Sequence, residues 1–105
     1  MFTKEILMDL FKKNKKTNFI IYTNIPKGGG INGVSYDSYC GNCNEESHNI
    51  KGFADSYMVI ERTNEYGVAL RTIYVLYENI SKVEFFADKK NPIYEYKGKH
   101  NLKEI

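Results

Sequence analysis

The segment 50–86 constrains the fold of this chain most, because runs typical of β-strands follow one another there with a clear turn between them. Residues 56–61 and 72–77 are rich in β-branched and aromatic side chains, and a glycine-containing turn at 64–67 separates them. This order predicts a β-hairpin. Residues 80–86 form a further apolar run, which we expect to pair with the hairpin as a third strand. The chain is therefore predicted to fold around a small antiparallel sheet.

Size and charge place the chain among ordinary globular domains. With 105 residues, it is predicted to form a single domain with one core. Lys and Arg number 15 against 13 Asp and Glu, and the resulting net charge of +2 is too small to require a polyanionic partner. No apolar run approaches the roughly 20 residues of a membrane span, and no signal peptide is visible. We expect a cytoplasmic protein without a membrane partner.

Outside the central segment, three patterns complete the predicted architecture. Apolar residues recur at helical spacing near the start, where Thr3 can cap a helix. A β-branched and aromatic run follows as a first strand. Glycine, asparagine and cysteine then replace the strand pattern, which predicts a long loop inserted after that strand. The predicted parts of the domain, 1–105, are the helix 2–13, the first strand 17–24, the Gly/Asn/Cys-containing insertion 26–49, the core 50–87 and the polar tail 97–105.

Two short segments carry a family resemblance. Residues 55–60, Asp-Ser-Tyr-Met-Val-Ile, are similar to the Asp-x-Phe/Tyr-Met-Asn-Leu segment of the first motif of the Sm-like family. Residues 75–83 are similar to its second motif, a strand, a tight turn and a strand. The resemblance implies a mainly β protein with a short N-terminal helix and an open five-stranded antiparallel barrel of the Sm-like or SH3-like type. It also implies a homo-oligomeric ring, joined through exposed strand edges, that binds single-stranded RNA.

Within these segments, some ligand-binding positions of the family are kept and others differ. Tyr57 matches the aromatic residue that stacks on a base, whereas Val59 replaces the Asn that contacts the base edge. Tyr77 and Glu78 stand where eukaryotic and archaeal members carry Arg-Gly, and a carboxylate there would repel phosphate. We expect Tyr57 and Tyr77 to be exposed and to stack on bases. The ligand-binding candidates in these segments are Asp55, Tyr57, Tyr77 and Asn79.

Cys40, Cys43 and His48 have the spacing C-x2-C-x4-H, which begins like a zinc knuckle. Two thiolates and an imidazole suit zinc, and a structural site needs a fourth ligand. The alternatives are two reduced cysteines in a loop or a redox-active pair. The candidates for the fourth ligand are Asp37, Glu45, Glu46, His100 or a residue of a second subunit.

A glycine-rich stretch at 27–33 is a candidate phosphate site. Successive backbone N–H groups of Gly28, Gly29 and Gly30 could surround a phosphate, and Lys27 adds positive charge. The order of residues does not match a P-loop. The alternative interpretation is a flexible loop. The ligand-binding candidates here are Lys27, Gly29 and Gly30.

The sequence contains no recognisable catalytic motif, so we expect no enzyme activity. The main hypothesis is a non-enzymatic Sm-like oligomeric binding protein that holds RNA or nucleotides by aromatic stacking and backbone contacts. Small size and a Lys-, Asn-, Ile- and Tyr-rich composition suggest an alternative, a phage-type anti-defence protein that sequesters a nucleotide signal or blocks a host protein. A further alternative is a protein-interaction domain that acts through the 26–49 loop.

Overall fold

The computed structural model describes residues 1–14, 17–31, 33–41, 46–86 and 102–105. Within these ranges the chain forms one α-helix and six β-strands, which pair into two three-stranded antiparallel sheets. The prediction of a mainly β protein with a short N-terminal helix is confirmed. The elements are α1 (Lys4–Lys13), β1 (Asn18–Gly30), β2 (Gly33–Cys40), β3 (Glu46–Phe53), β4 (Tyr57–Asn64), β5 (Ala69–Leu76), the 3-10 turn η1 (Tyr77–Asn79) and β6 (Ile80–Phe86).

The helix α1 lies close to its predicted position at 2–13. Thr3 caps its start, because the side-chain hydroxyl accepts a hydrogen bond of 3.2 Å from the backbone N–H of Ile6. Leu7 and Phe11, four residues apart and therefore on one side of the helix, are both fully buried. The helix is held to the rest of the domain by this apolar face. No helix in the part of the chain that the structure describes has the length and apolar character needed to cross a membrane.

The first sheet has the strand order β2-β1-β6. Its central strand β1 begins one residue after the start of the predicted strand at 17–24 and continues to Gly30, where a tight connection leads into β2. The prediction of a long loop over 26–49 is therefore wrong for the described residues of that range. Backbone groups form the ladder hydrogen bonds, so a glycine-rich sequence can still pair as a hairpin. The glycines suit the two positive φ angles near its tip, 142° at Gly28 and 112° at Gly33.

The second sheet has the order β3-β4-β5 and contains the predicted hairpin. In the turn between β4 and β5, the side-chain oxygen of Asn64 accepts hydrogen bonds of 2.9 Å from the N–H of Tyr66 and 3.0 Å from that of Val68. Gly67 has a φ of 78°, which favours glycine. The hairpin prediction is confirmed, including its glycine-containing turn.

The third strand beside the hairpin is β3, and the expectation that residues 80–86 would take this place is wrong. These residues form β6, which pairs with β1 in the first sheet, with Ile21 opposite Val83. The turn η1 directs the chain from one sheet to the other. An alternating apolar pattern identifies a strand but not its partner, because either sheet can bury the same face.

The core lies between the two sheets and is closed by α1. Phe11 is central to it: its ring lies 5.1 Å from the rings of both Phe19 and Phe85, measured between centroids, in edge-to-face geometry. Both sheets and the helix supply core residues. The fully buried large side chains are Leu7, Phe11, Phe19, Ile21, Ile50, Phe53, Met58, Ile60 and Val75.

Residues 102–105 lie beside the end of β3. The N–H of Phe53 donates to the carbonyl of Lys103 at 3.0 Å, and the N–H of Ile105 donates to the carbonyl of Phe53 at 2.7 Å. Leu102 packs against the core. The end of the predicted tail 97–105 is thus attached to the second sheet, while 97–101 lie outside the described residues.

Candidate functional site

The two segments that resemble the Sm-like motifs meet in the structure. The turn between β3 and β4 contains Ala54 and Ser56, and η1 contains Tyr77. The N–H of Tyr77 donates to the Ser56 carbonyl at 3.1 Å, and the Tyr77 hydroxyl donates to the Ala54 carbonyl at 2.6 Å. These hydrogen bonds join two turns that are about twenty residues apart in the chain.

Tyr77 is a structural residue in this arrangement. Its exposed fraction is 4%, so the prediction that it is an exposed stacking residue is wrong. Burial raises the pKa of Tyr77 to about 12, which keeps the phenol protonated and able to donate its hydrogen bond at neutral pH. The inward orientation follows from position, because Val75 on the same alternating face is also buried.

Replacing Tyr77 by phenylalanine is expected to lower the free energy of unfolding by about 1–3 kcal/mol, because the buried Ala54 carbonyl loses its donor. Chemical unfolding followed by circular dichroism measures this difference. The same change at Tyr66, which is 82% exposed, is the control and should leave stability unchanged. Equal stability of the Tyr77→Phe variant and the wild type would contradict the structural role.

Tyr57 lies on the outer side of the second sheet, away from the core. It is half-buried, and its ring contacts that of Tyr74 edge-on, with centroids 5.9 Å apart. Tyr74 is 67% exposed and stands opposite Val59, while Leu76 stands opposite Tyr57. Side chains directly opposite on antiparallel strands share one side. We call Tyr57, Tyr74 and Leu76 the aromatic surface; Val59, on the same side of the sheet, is buried.

The charges next to the aromatic surface are mainly negative. Lys4 Nζ lies 3.0 Å from Asp55 Oδ1 and 3.4 Å from Glu104 Oε2. The hydrogen bond to Asp55 is the main cause that raises the Lys4 pKa, so Lys4 is charged and already shared between two carboxylates. Glu78 is exposed, and Asn79 is half-buried in η1. Phosphate therefore gains little from this cluster, whereas aromatic stacking is compatible with it.

The glycine-rich candidates lie elsewhere. Lys27, Gly29 and Gly30 belong to the first sheet, where Gly29 pairs with Val34 at the tip of the β1–β2 hairpin. Successive N–H groups of a strand point in opposite directions, so this ladder does not present the converging donors of a backbone nest. An open concavity of about 650 Å³ lies beside the tip, lined by residues that include Lys27 and Tyr36. The structure does not place these residues with Tyr57.

The zinc candidates are only partly described. Cys40 ends β2, and His48 lies in β3 with its Nδ1 3.0 Å from the backbone carbonyl of Cys40. Burial lowers the pKa of His48, which favours the neutral ring that donates from Nδ1 to this carbonyl. Among described residues, no three His, Cys, Asp or Glu side chains form a metal-binding group. Cys43, Glu45 and His100 lie outside the described residues, so the zinc site stays a prediction.

A pair of arginines was not singled out in the sequence analysis. Arg62 in β4 stands directly opposite Arg71 in β5, and Arg62 is in turn opposite His48 in β3. The signal was available, because the two arginines lie on either side of the predicted hairpin turn at 64–67. Counting outward from that turn places them near each other.

The fold and the joined turns thus define a mainly β protein of two antiparallel sheets with an aromatic outer face. Comparison of the chain with protein-family models, with curated proteins and with solved structures found no match.

Proposed function

We propose that this chain is a non-enzymatic binding protein of the Sm-like type. In this proposal, copies associate through their strand edges and hold single-stranded RNA or nucleotides against the aromatic surface. The observation that carries the proposal is the contact between the two turns at Ala54–Ser56 and Tyr77, because the segments that resemble the two family motifs are brought together there.

The strand order supports an Sm-like or SH3-like barrel as the underlying fold. β2 and β3 follow one another in the chain and pair with β1 and β4, respectively. In this proposal β2 and β3 count as one strand of a barrel, which gives the order β6-β1-β2/β3-β4-β5. This arrangement has the five strands that the resemblance implies, and η1 stands between β5 and β6, where the second motif places a tight turn.

Edge-to-edge assembly is supported by two strand edges. Within the described ranges, β5 pairs only with β4, and β6 pairs only with β1. An unpaired edge can be satisfied by a neighbouring copy. The edge strand β5 also exposes three large apolar side chains, with exposed fractions of 50% at Leu70, 67% at Tyr74 and 42% at Leu76. In this proposal, association through β5 covers Leu70, which lies outside the aromatic surface, and leaves Tyr74 and Leu76 for the ligand.

The aromatic surface supports base stacking as the mode of binding. Stacking tolerates any base because every base has a π face. Asp55 and Glu78 lie two residues from Tyr57 and Leu76, respectively, in the chain. In this proposal stacking, and not ion pairing with phosphate, supplies the binding energy at this surface.

Alanine at position 57 is expected to weaken binding of a single-stranded oligoribonucleotide by roughly 5- to 150-fold, since stacking contributes about 1–3 kcal/mol per base. Fluorescence anisotropy of a labelled oligonucleotide measures the change. Tyr66→Ala is the matched control, because Tyr66 is 82% exposed in the β4–β5 turn and outside the aromatic surface. We expect that variant to bind like the wild type.

Two outcomes would contradict the proposal. An equal loss of RNA affinity in the Tyr57→Ala and Tyr66→Ala variants, or no RNA binding by the wild type, would contradict the role of the aromatic surface. A monomeric mass at micromolar concentration in native mass spectrometry would contradict the proposed assembly. Small nucleotides released from the purified protein by heating would instead favour the alternative in which the protein sequesters a nucleotide signal.

A further inference from the structure

Residues 102–105 lie as an added strand along the outer edge of β3. In the strand order β3-β4-β5, one side of β3 pairs with β4 and the other side is an edge of the sheet. At this edge the N–H of Phe53 donates to the Lys103 carbonyl, and the Phe53 carbonyl accepts from the N–H of Ile105. The added strand is parallel to β3, with Glu104 opposite Phe53. We call the outer edge of β3 at Gly52 and Phe53, together with the nearby Lys4, the edge groove.

The edge groove and the core beside it contact three side chains of the added strand, each in a different way. Leu102 packs against the core. Ile105 occupies the space beside Gly52, where an added Cβ atom would lie 2.8 Å from Ile105 Cγ1. Glu104 Oε2 lies 3.4 Å from Nζ of Lys4, whose side chain is 15% exposed. The groove therefore accommodates the pattern Leu-x-Glu-Ile, in which an acidic residue stands between two aliphatic ones.

The backbone of β3 is shaped for this close approach. The pairing of β3 with β4 shifts register between Ile50 and Gly52, as at a β-bulge. Bulges bend a strand locally and are common at sheet edges and beside functional sites. Gly52 follows this shift, and a Cβ atom there would also lie 3.3 Å from the Lys103 carbonyl. The missing side chain thus leaves room for both the backbone and a side chain of the added strand.

The added strand is held weakly. Residues 103–105 are exposed, and Ile105 keeps an exposed fraction of 62% although it lies against Gly52. The Glu104 side chain is 63% exposed, and ion pairs at such positions contribute little to stability. Segments with few buried apolar contacts open at a small cost in free energy. We therefore expect this segment to leave the edge groove without unfolding of the domain.

We propose that the edge groove binds an extended segment of a partner protein, and that residues 102–105 occupy the groove until the partner displaces them. Addition of a strand to a sheet edge is an established mode of peptide recognition, in which main-chain hydrogen bonds supply affinity and side-chain pockets supply specificity. The residues that fill the groove define the partner segment: an aliphatic residue, any residue, an acidic residue for Lys4 and an aliphatic residue for the space beside Gly52.

A second copy of this chain is a poorer occupant than a different protein. Its residues 102–105 would make the same contacts as those of the first copy, but without the effective concentration, in the millimolar range, that a tether within one chain provides. The edge groove lies at β3 and does not include the aromatic surface. The proposal therefore does not depend on the RNA binding proposed above.

The test is a titration of the full chain with a synthetic peptide that has the sequence of residues 100–105, His-Asn-Leu-Lys-Glu-Ile. Nuclear magnetic resonance of the Gly52 and Phe53 amides measures binding. Leu102→Asp removes the apolar anchor of the chain's own segment, so we expect this variant to bind the peptide about tenfold more tightly than the wild type. Glu104→Lys, at an exposed position, is a second variant that leaves the core unchanged, and its expected gain is about 2- to 5-fold.

A change inside the groove is expected to have the opposite effect. Gly52→Val, added to the Leu102→Asp chain, fills the space for the aliphatic side chain and should abolish binding of the peptide. Gly29→Val in the same chain is the matched control, because an added Cβ at Gly29 meets no atom within 4 Å. A peptide with lysine in place of its glutamate should bind more weakly than the original peptide, since Lys4 would face a like charge.

Three results would overturn the proposal. The first is unchanged Phe53 signals at about 1 mM peptide in both the Leu102→Asp and the Glu104→Lys chains. The second is equal binding of a peptide with the same composition in scrambled order. The third is a contact between Ile105 of one copy and Gly52 of another, observed in a mixture of isotope-labelled and unlabelled chains, because it would identify a second copy as the occupant.

Discussion

Phe11→Ala is expected to lower the free energy of unfolding by about 3–5 kcal/mol, the largest loss that we expect from a single substitution in this domain. Small domains are stable by only about 5–15 kcal/mol, so the variant should unfold at much lower denaturant concentrations than the wild type. The reason is position: Phe11 is fully buried and its ring contacts those of Phe19, Phe53 and Phe85. Truncation leaves a cavity between the helix and both sheets.

Urea unfolding followed by far-ultraviolet circular dichroism measures this loss, and it suits a chain without tryptophan. Ile6→Ala is the control, because Ile6 lies on the same helix and is 45% exposed. We expect the control to lose much less stability. A similar decrease in both variants would contradict the role of Phe11 in core packing. Helix propensity cannot explain such a loss, because alanine has the highest helix propensity.

Gly41→Ala is expected to destabilise the domain by about 1–3 kcal/mol or more through overpacking. A Cβ atom at this position would lie 2.6 Å from Cδ1 and 2.8 Å from Cζ of Phe19. Phe19 is fully buried and held edge-on by Phe11, so its ring cannot move aside without disturbing the core. The backbone N–H of Gly41 also donates to the Phe19 carbonyl at 2.9 Å, which fixes the close approach.

The measurement for Gly41 is again the urea midpoint, with Gly29→Ala as the control. An added Cβ at Gly29 meets no atom within 4 Å, so that variant should unfold near the wild-type midpoint. Wild-type stability of the Gly41→Ala protein would mean that Phe19 can repack, and it would weaken the account of a tightly filled core.

Features determined by neighbouring residues were predictable from the sequence. The helix followed from the cap at Thr3 and the spacing of Leu7 and Phe11, and the hairpin followed from two strand-like runs around Gly67. In each case the residues that carry the sequence signal belong to the same continuous segment as the element that they form. The observed boundaries of the helix differ from the predicted ones only at its start.

Pairing over long distances was not predictable. The run 80–86 has the pattern of a strand, but nothing in it indicates that β1 is its partner. The region 26–49 was misjudged for a related reason, because its glycines weaken the side-chain pattern while the backbone still pairs, as at Gly28 and Ser35. The alternation of apolar and polar side chains indicates that one side of a strand is buried. The tip of the β1–β2 hairpin buries few side chains on either side, so it lacks this alternation.

In the candidate site, too, local features were predictable from the sequence and features that depend on strand pairing were not. The similarity of 55–60 and 75–83 to two family motifs implied that these segments act together, and hydrogen bonds from Tyr77 join them. The burial of Tyr77 could have been inferred from its alternation with Val75. The position of Arg62 opposite Arg71 depends on the register of β4 and β5, which follows from the position of the hairpin turn.

The pairing of β1 with β6 also affects how the protein folds. Asn18 pairs with Phe86, so the central strand of the first sheet receives one of its two partners only after synthesis has passed Phe86. Folds dominated by such distant contacts form in milliseconds to seconds, whereas a hairpin such as β4–β5 forms within about 1–10 μs. We therefore expect the second sheet to nucleate and the first to be completed last.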